Sequence, residues 1–246
     1  MTGNDRPDPL RRLDATSEAI ADLRGILAGE EPLDDVLARV AQTAARAIPD
    51  ADAVSITVFN GDTRRTPVCT DERIIGLDHL QQESGRGPCV EAAQRRIPVR
   101  MEISGDTRWP EFSEAAEQLR IQAILSVPLL IGDDDVELLG SLNVYSYTVS
   151  AFDPFDEGLM RLYTVAASAA ITNARLWQQS RDTIAQLERA LTSRAEIDQA
   201  KGALMSVRGC TADEAFRLLV EESQHRNVKL YDIARSLLAS LHRDPD

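Results

Sequence analysis

Apolar residues recur at steps of three and four at both ends of the chain, and gather between them into short β-branched runs. Leu10, Leu13, Ile20, Leu23 and Leu27 predict a first helix ending near Gly29. Pro32 opens a second, with Leu33, Val36, Leu37, Val40, Ala44 and Ile48 on one side. Asp52 to Phe59 (DAVSITVF) reads as a strand, and the turn dipeptide Asn60-Gly61 sends the chain back through a second strand from Arg65 to Thr70. Helical segments follow around Leu77 to Gln82 and Cys89 to Arg95, on either side of Gly85-Arg-Gly-Pro88. Ile97 to Ile103 is extended, and Trp109-Pro-Glu-Phe112 opens a short helix reaching Leu119. Two longer strands, Ala123 to Ile131 and Leu138 to Tyr147, flank the acidic turn Gly132-Asp-Asp-Asp135. Strands in runs with helices at their flanks predict an α+β domain on an antiparallel sheet.

Asp153-Pro-Phe-Asp-Glu157 is a helix start, with an N-cap candidate, a first-turn proline and acids where the helix dipole favours them. With no proline until Pro245, a long helix is predicted from Pro154 toward Ser193, packing Leu159, Leu162, Ala166, Ala169 and Asn173 on the sheet. Ile184, Leu187 and Leu191 continue it either as a two-helix seam or as a solvated linker. Beyond lies a three-helix unit. In its first helix Ile197, Ala200, Leu204 and Val207 form an apolar stripe, while Arg194, Lys201 and Arg208, seven residues apart and so only about 20° out of line, run beside it. Gly209-Cys210 ends that helix, and Thr211-Ala-Asp-Glu214 has the pattern of a capping box. Ala215, Phe216 and Leu219 are the expected buried face of the second helix, Ser223 to Val228 a polar break, and Leu230, Ile233, Ala234, Leu237, Leu238 and Leu241 the apolar face of the third. The chain therefore divides into a tail and helix (1–30), an α+β domain (31–172), a helical linker (173–192) and a three-helix bundle (193–242).

Ile197, Ala200-Lys201-Gly202, Leu204-Met205, Glu214-Ala-Phe216, Leu219, Ser223-Gln224, Asn227-Val-Lys-Leu230 and Asp232-Ile-Ala234 together resemble the ANTAR domain, an RNA-binding output module of bacterial antitermination regulators. The sequence departs from that pattern at Val220-Glu221-Glu222 and at Tyr231, where basic residues are common. Upstream, Gln82 to Ala93 (QESGRGPCVEAA), Arg108-Trp-Pro-Glu-Phe112, Leu125-Ser-Val-Pro-Leu129 and Leu139 to Tyr145 (LGSLNVY) resemble a GAF domain, a small-molecule or redox sensor fold, of the type that precedes ANTAR modules in actinobacteria. The two resemblances imply a signal-responsive regulator that binds a pair of RNA stem-loops in nascent transcripts and keeps a terminator hairpin from forming. RNA would be its partner, with a homodimer formed through the seam.

Charge narrows where RNA could bind. Of the net −13, almost none lies in the last 54 residues, which hold eight Lys plus Arg against nine Asp plus Glu; the other 192 hold nineteen against thirty-one. Cys69, Cys89 and Cys210 are scattered, without a C-x-x-C, which argues against a disulfide framework or a zinc site. His79, His225 and His242 stand apart from them and from one another, so neither metal nor covalent cofactor is expected. The polar start MTGNDRPDPLRR lacks a signal-peptide core, and no stretch approaches the roughly 18 apolar residues of a membrane span, so a soluble, cytoplasmic protein is expected. Neither G-x-S-x-G nor a P-loop is present, and Gly85-Arg-Gly87 fails as a dinucleotide fingerprint because Pro88-Cys89 replaces the third glycine; an enzyme is not expected.

Several residues carry two readings. Cys89 begins a helix beside Arg86, where dipole and cation could activate it as a redox sensor or nucleophile, or it is a small packing residue. Trp109 and Phe112 are lids of a ligand cavity or core anchors. Arg194, Lys201 and Arg208, with Arg226, Asn227 and Lys229 before the third helix, are RNA contacts or a solvated face paired through Asp198. Two alternatives stand beside the RNA reading: a DNA-binding helix-turn-helix using Lys229, Tyr231 and Arg235, distinguished by a less compact connection than the usual turn, and a GAF-type thiol redox enzyme.

Overall fold

The computed structural model describes residues 8–27, 30–60, 63–131 and 138–241, and the chain forms two compact units, residues 1–178 and 179–246. Gly61 of the turn expected at Asn60-Gly61, the turn expected at Gly132 to Asp135, and residues 1–7 of the N-terminal tail lie outside the described residues. The first unit opens with α1 (Pro9–Leu27) and α2 (Leu33–Ala47), then β1 (Ala53–Asn60) and β2 (Thr63–Cys69). A 3-10 turn at Glu72–Ile74 leads into α3 (Ile75–Ser84), α4 (Pro88–Arg95), β3 (Val99–Glu102) and α5 (Pro110–Gln118). Next come β4 (Ala123–Ile131), β5 (Leu138–Ser146) and the beginning of α6 (Pro154–Arg208). The described strands pair antiparallel in the order β2-β1-β5-β4-β3.

Both faces of this sheet are covered. Side chains alternate along a strand, so β1 turns Val54, Ile56 and Val58 to one face and Ser55 and Thr57 to the other. On the first face Leu125, Val127, Leu142 and Val144 join them against α1, α2 and α6 in the larger core, where burying a side chain such as Leu23 or Ile56 contributes about 1.5–3 kcal/mol. On the second face Ile124 and Tyr145 pack with Leu77, Ala92 and Phe112 from α3, α4 and α5.

The stripe by which α6 meets the sheet differs from the expected one. Met160, Tyr163, Ala167, Ala170, Ile171 and Ala174 are buried beside Leu159, whereas Leu162, Ala169 and Asn173 are exposed. Residues one position apart are rotated by about 100°, and the phase chosen is the one that seats Tyr163 in the core. Its hydroxyl donates to Val40 O at 2.7 Å and lies 2.6 Å from Thr43 Oγ1, tying α6 to α2. A second tie is ionic. Arg12 on α1 is buried between Asp156 (2.7 Å) and Asp153 (3.1 Å) at the start of α6. Burial pushes Asp153 up, but hydrogen bonds from the Asp156 amide and Arg12 overcome it and hold the carboxyl at about 2.

In the second unit the first helix of the expected bundle is the end of α6. No proline or glycine cluster interrupts it after Ser193, and it stops at Arg208 because Gly209 takes the left-handed conformation (φ 65°). The capping box forms as its spacing predicts: Thr211 Oγ1 accepts from the Glu214 amide and Glu214 Oε2 from the Thr211 amide at 2.8 Å, opening α7 (Ala212–Arg226). Ala200, Leu219, Ile233 and Ala234 form a small core with α8 (Leu230–Leu241), and Ile197, Leu204, Leu230, Leu237 and Leu238 pack around it. Two expected core residues are outside it. Val207, in the last turn of α6, is 69% exposed, and Phe216 is 42% exposed, the latter because Ala215 takes the core position on α7 and the next side chain points about 100° away. The polar segment from Ser223 does not break α7, which continues to Arg226, leaving a three-residue connection, 227–229, to α8.

Candidate sensor layer and nucleic-acid interface

The second sheet face of the first unit carries a buried polar layer. Register aligns Ser126, Asn143 and Ser55 across β4, β5 and β1, and places Ser141 opposite Thr57. Asn143 Nδ2 donates to Ser55 Oγ (3.1 Å) and Thr57 Oγ1 (3.2 Å), while Asn143 Oδ1 accepts from Ser141 Oγ (2.8 Å). From α3, Asp78 receives the Tyr145 hydroxyl at 2.6 Å and is fully buried. Burial raises its carboxyl to about 6, although the hydrogen bond from the Tyr145 hydroxyl favours the charged form.

Beside it, Gln81 Oε1 accepts from the Cys89 amide at 2.9 Å, capping α4, and Gly87 lets the two helices meet: a Cβ there would come within 2.5 Å of Gln81. Asp78 Oδ2, Gln81 Nε2 and Ser126 Oγ are buried in this layer without a hydrogen-bond partner. Such orphans are costly and mark positions where a polar guest or water is accommodated.

Of the three sensing candidates, the structure brings two together. Arg86 is exposed and, with Trp109, lines a cleft of about 420 Å³ that also includes Leu80, Arg108 and Phe112. The Arg108 guanidinium lies 4.4 Å from the Trp109 ring centroid. Cys89 is not part of that cleft. It is buried in the polar layer, where desolvation, and then the charge of Asp78, push its thiol up, opposite to the activation that the first of its two readings requires. Asp78, Gln81, Asn143 and Tyr145 were not singled out from the sequence. For Asn143 the signal there is a polar residue at every second position of a strand that is apolar otherwise, while Asp78 and Gln81 read as polar positions on a short helix.

The six nucleic-acid candidates fall into four places. Arg194 and Lys201 both face Asp198, at 3.9 and 3.0 Å. Arg208 and Arg226 line a groove of about 630 Å³ with Glu221, Glu222 and His225, and Arg226 pairs with Glu222 at 3.6 Å. Lys229 belongs to a separate cleft with Arg189 and Tyr231. Asn227 adopts φ 51° and caps the end of α7, its amide bonding back to Gln224 O. Asparagine tolerates this conformation better than other side-chain-bearing residues, which accounts for it locally. Among the described residues, no helix is long and apolar enough to cross a membrane.

The GAF domain model matches residues 30–172, and the ANTAR domain model residues 185–238. A GAF sensor protein from Burkholderia vietnamiensis is 18% identical, with 71% of this chain and 98% of that chain covered and a TM-score of 0.52. The GAF domain of a phosphoenolpyruvate-protein phosphotransferase from Coxiella burnetii is 19% identical (69% and 98% covered, TM-score 0.50). The reduced form of fRMsr from Staphylococcus aureus is 12% identical (70% and 99% covered, TM-score 0.50). At these identities the likeness is one of fold. No curated protein matches the chain. The two matched regions account for both units, with the antiparallel sheet and its flanking helices in one and the end of α6 with α7 and α8 in the other: the chain belongs to the GAF-domain family and carries an ANTAR domain after it.

Proposed function

We propose that this protein is a signal-responsive transcription regulator whose ANTAR domain binds stem-loops in nascent RNA and promotes antitermination under control of the GAF domain. The observation that carries the reading is the succession of a GAF domain and an ANTAR domain in one chain. The domains are taken as 31–172 and 193–242, with residues 173–192 as the link between them.

Sensing is assigned to the first unit. Its polar layer offers an unpartnered carboxylate oxygen, amide nitrogen and hydroxyl to a small polar molecule, and the adjacent cleft offers Arg86 and Trp109. The thiol of Cys89 is kept protonated by burial, which favours binding over thiol chemistry as the sensing mode and a regulator over an enzyme. RNA contact is assigned to Arg194, Lys201, Arg208, Arg226, Asn227 and Lys229, on the part of this acidic chain without a large negative excess. Ile184, Leu187 and Leu191 form an exposed apolar row on α6 (56, 59 and 68%), the reading being that a second copy covers it.

The test is competition. Full-length protein is bound to labelled hairpin RNA and challenged with unlabelled hairpin RNA or duplex DNA, the hairpin alone being expected to displace the label. Equal displacement by duplex DNA would favour the helix-turn-helix alternative. The connection between α7 and α8, three residues long, is as short as in that motif, so compactness does not separate the two readings.

A further inference from the structure

The second unit holds a cleft of about 570 Å³ lined by Ala185, Glu188, Arg189 and Thr192 of α6 and by Lys229 and Tyr231 at the start of α8. Its volume lies within the range of about 300–1,000 Å³ typical of ligand-binding clefts. Tyr231 stands where the related pattern commonly has a basic residue, so this chain places an aromatic ring where a cation would be usual. The ring is half-buried, and the Arg235 guanidinium lies 5.4 Å from its centroid, held in turn by Asp232 at 3.8 Å.

Around the ring are cations with spare donors. The Lys229 ammonium has no ion-pair partner among the described residues, and Arg189 spends only its Nε, on Ala185 O at 3.0 Å. An aromatic face braced by an arginine and flanked by two cations is the arrangement that takes a single-stranded nucleotide: the base stacks, and the phosphates meet the cations. Glu188 lies at the same cleft, where a base amino group can meet it and a phosphate cannot.

We infer that Tyr231 is a stacking platform for one unpaired base of the bound RNA, with Lys229 and Arg189 contacting the phosphates on either side of it. The inference rests on the RNA reading above and adds to it a site and a mode of recognition. Stacking on an aromatic ring selects an unpaired base over a paired one, which a lysine at the same place would not do.

The experiment uses the full chain and hairpin RNAs selected by the parent protein from a pool with a randomised loop on a common stem. Tyr231→Phe keeps the ring and should bind the selected hairpin as the parent does. Tyr231→Leu keeps apolar bulk without a π-face and should bind it about ten- to a hundredfold more weakly, with no change on the same stem as a fully paired duplex. In the parent, a 5-iodouridine placed in the loop should photo-crosslink to the peptide containing Tyr231. Parent-like hairpin affinity in Tyr231→Leu, or crosslinks confined to other peptides, would overturn the platform while leaving RNA binding intact. If the parent prefers duplex DNA to every hairpin in the pool, both readings fall together.

Discussion

Replacing Asp78 by Asn tests the energetics of the sensor layer most directly. The carboxyl is fully buried, receives a hydrogen bond from Tyr145 on one oxygen and has no partner on the other. Asn keeps an acceptor for Tyr145 and removes the charge. A rise from the ordinary 3.8 to about 6 corresponds to about 3 kcal/mol of preference for the neutral form in the fold. The sign follows from proton uptake: between the two values the folded state binds the proton and the unfolded chain does not, so stability is fully present below the unfolded value and is lost as pH rises through about 6. Asp78→Asn should therefore flatten the decline. Denaturant unfolding of parent and variant at pH 5 and pH 8 supplies the difference, in which groups that do not interact with Asp78 cancel. The variant is expected to gain on the parent by about 1.4 kcal/mol across that interval, the rest of the difference falling below pH 5. Equal slopes for the two proteins, or a variant that loses ground as pH rises, would mean that Asp78 is ionised and paired in the fold, and the account of the layer would be wrong.

Arg12→Met should cost about 3–5 kcal/mol in the same unfolding assay, because it strands Asp156 and Asp153 at a buried junction. The stabilisation that Asp153 supplies in the parent is present above its ordinary value and fades as pH falls through about 2, so the variant should be less sensitive there. Asn227→Gly should leave thermal stability within a few tenths of a kcal/mol, and Asn227→Ala should lower it by about 1 kcal/mol, since only the first suits φ 51°; RNA affinity measured for the glycine variant then reports what the side chain contributes beyond the cap. Lys201→Glu should weaken hairpin binding at every loop sequence and reduce its salt dependence, with circular dichroism unchanged; parent-like binding and salt slope would mark the row of cations as a solvated face. Exchanging Ile184, Leu187 and Leu191 for Ser should convert a sedimenting dimer to monomer, and a parent that is already monomeric refutes the seam.

Local signals in the chain were sufficient to place most elements. Hydrophobic spacing gave α2 and α8, β-branched runs gave β1 and β4, and the Thr211 to Glu214 box gave the start of α7, because each depends on neighbours within a turn or along one strand. Phase and coverage were not local. Whether α6 buries Leu162 or Tyr163 depends on Val40 and Thr43, over a hundred residues earlier, and Ala215 displaces Phe216 from the small core only once α8 is packed against it. The sensor layer shows the limit most clearly. Serines, a threonine and an asparagine alternating with valines and leucines in β1, β4 and β5 have the pattern of strands with one face in water, and nothing within those strands says otherwise. Only the packing of α3 and α4 over that face makes it an interior, and so buries Asn143 of the sheet with Asp78 and Gln81 of α3 in one polar layer whose carboxyl resists ionisation.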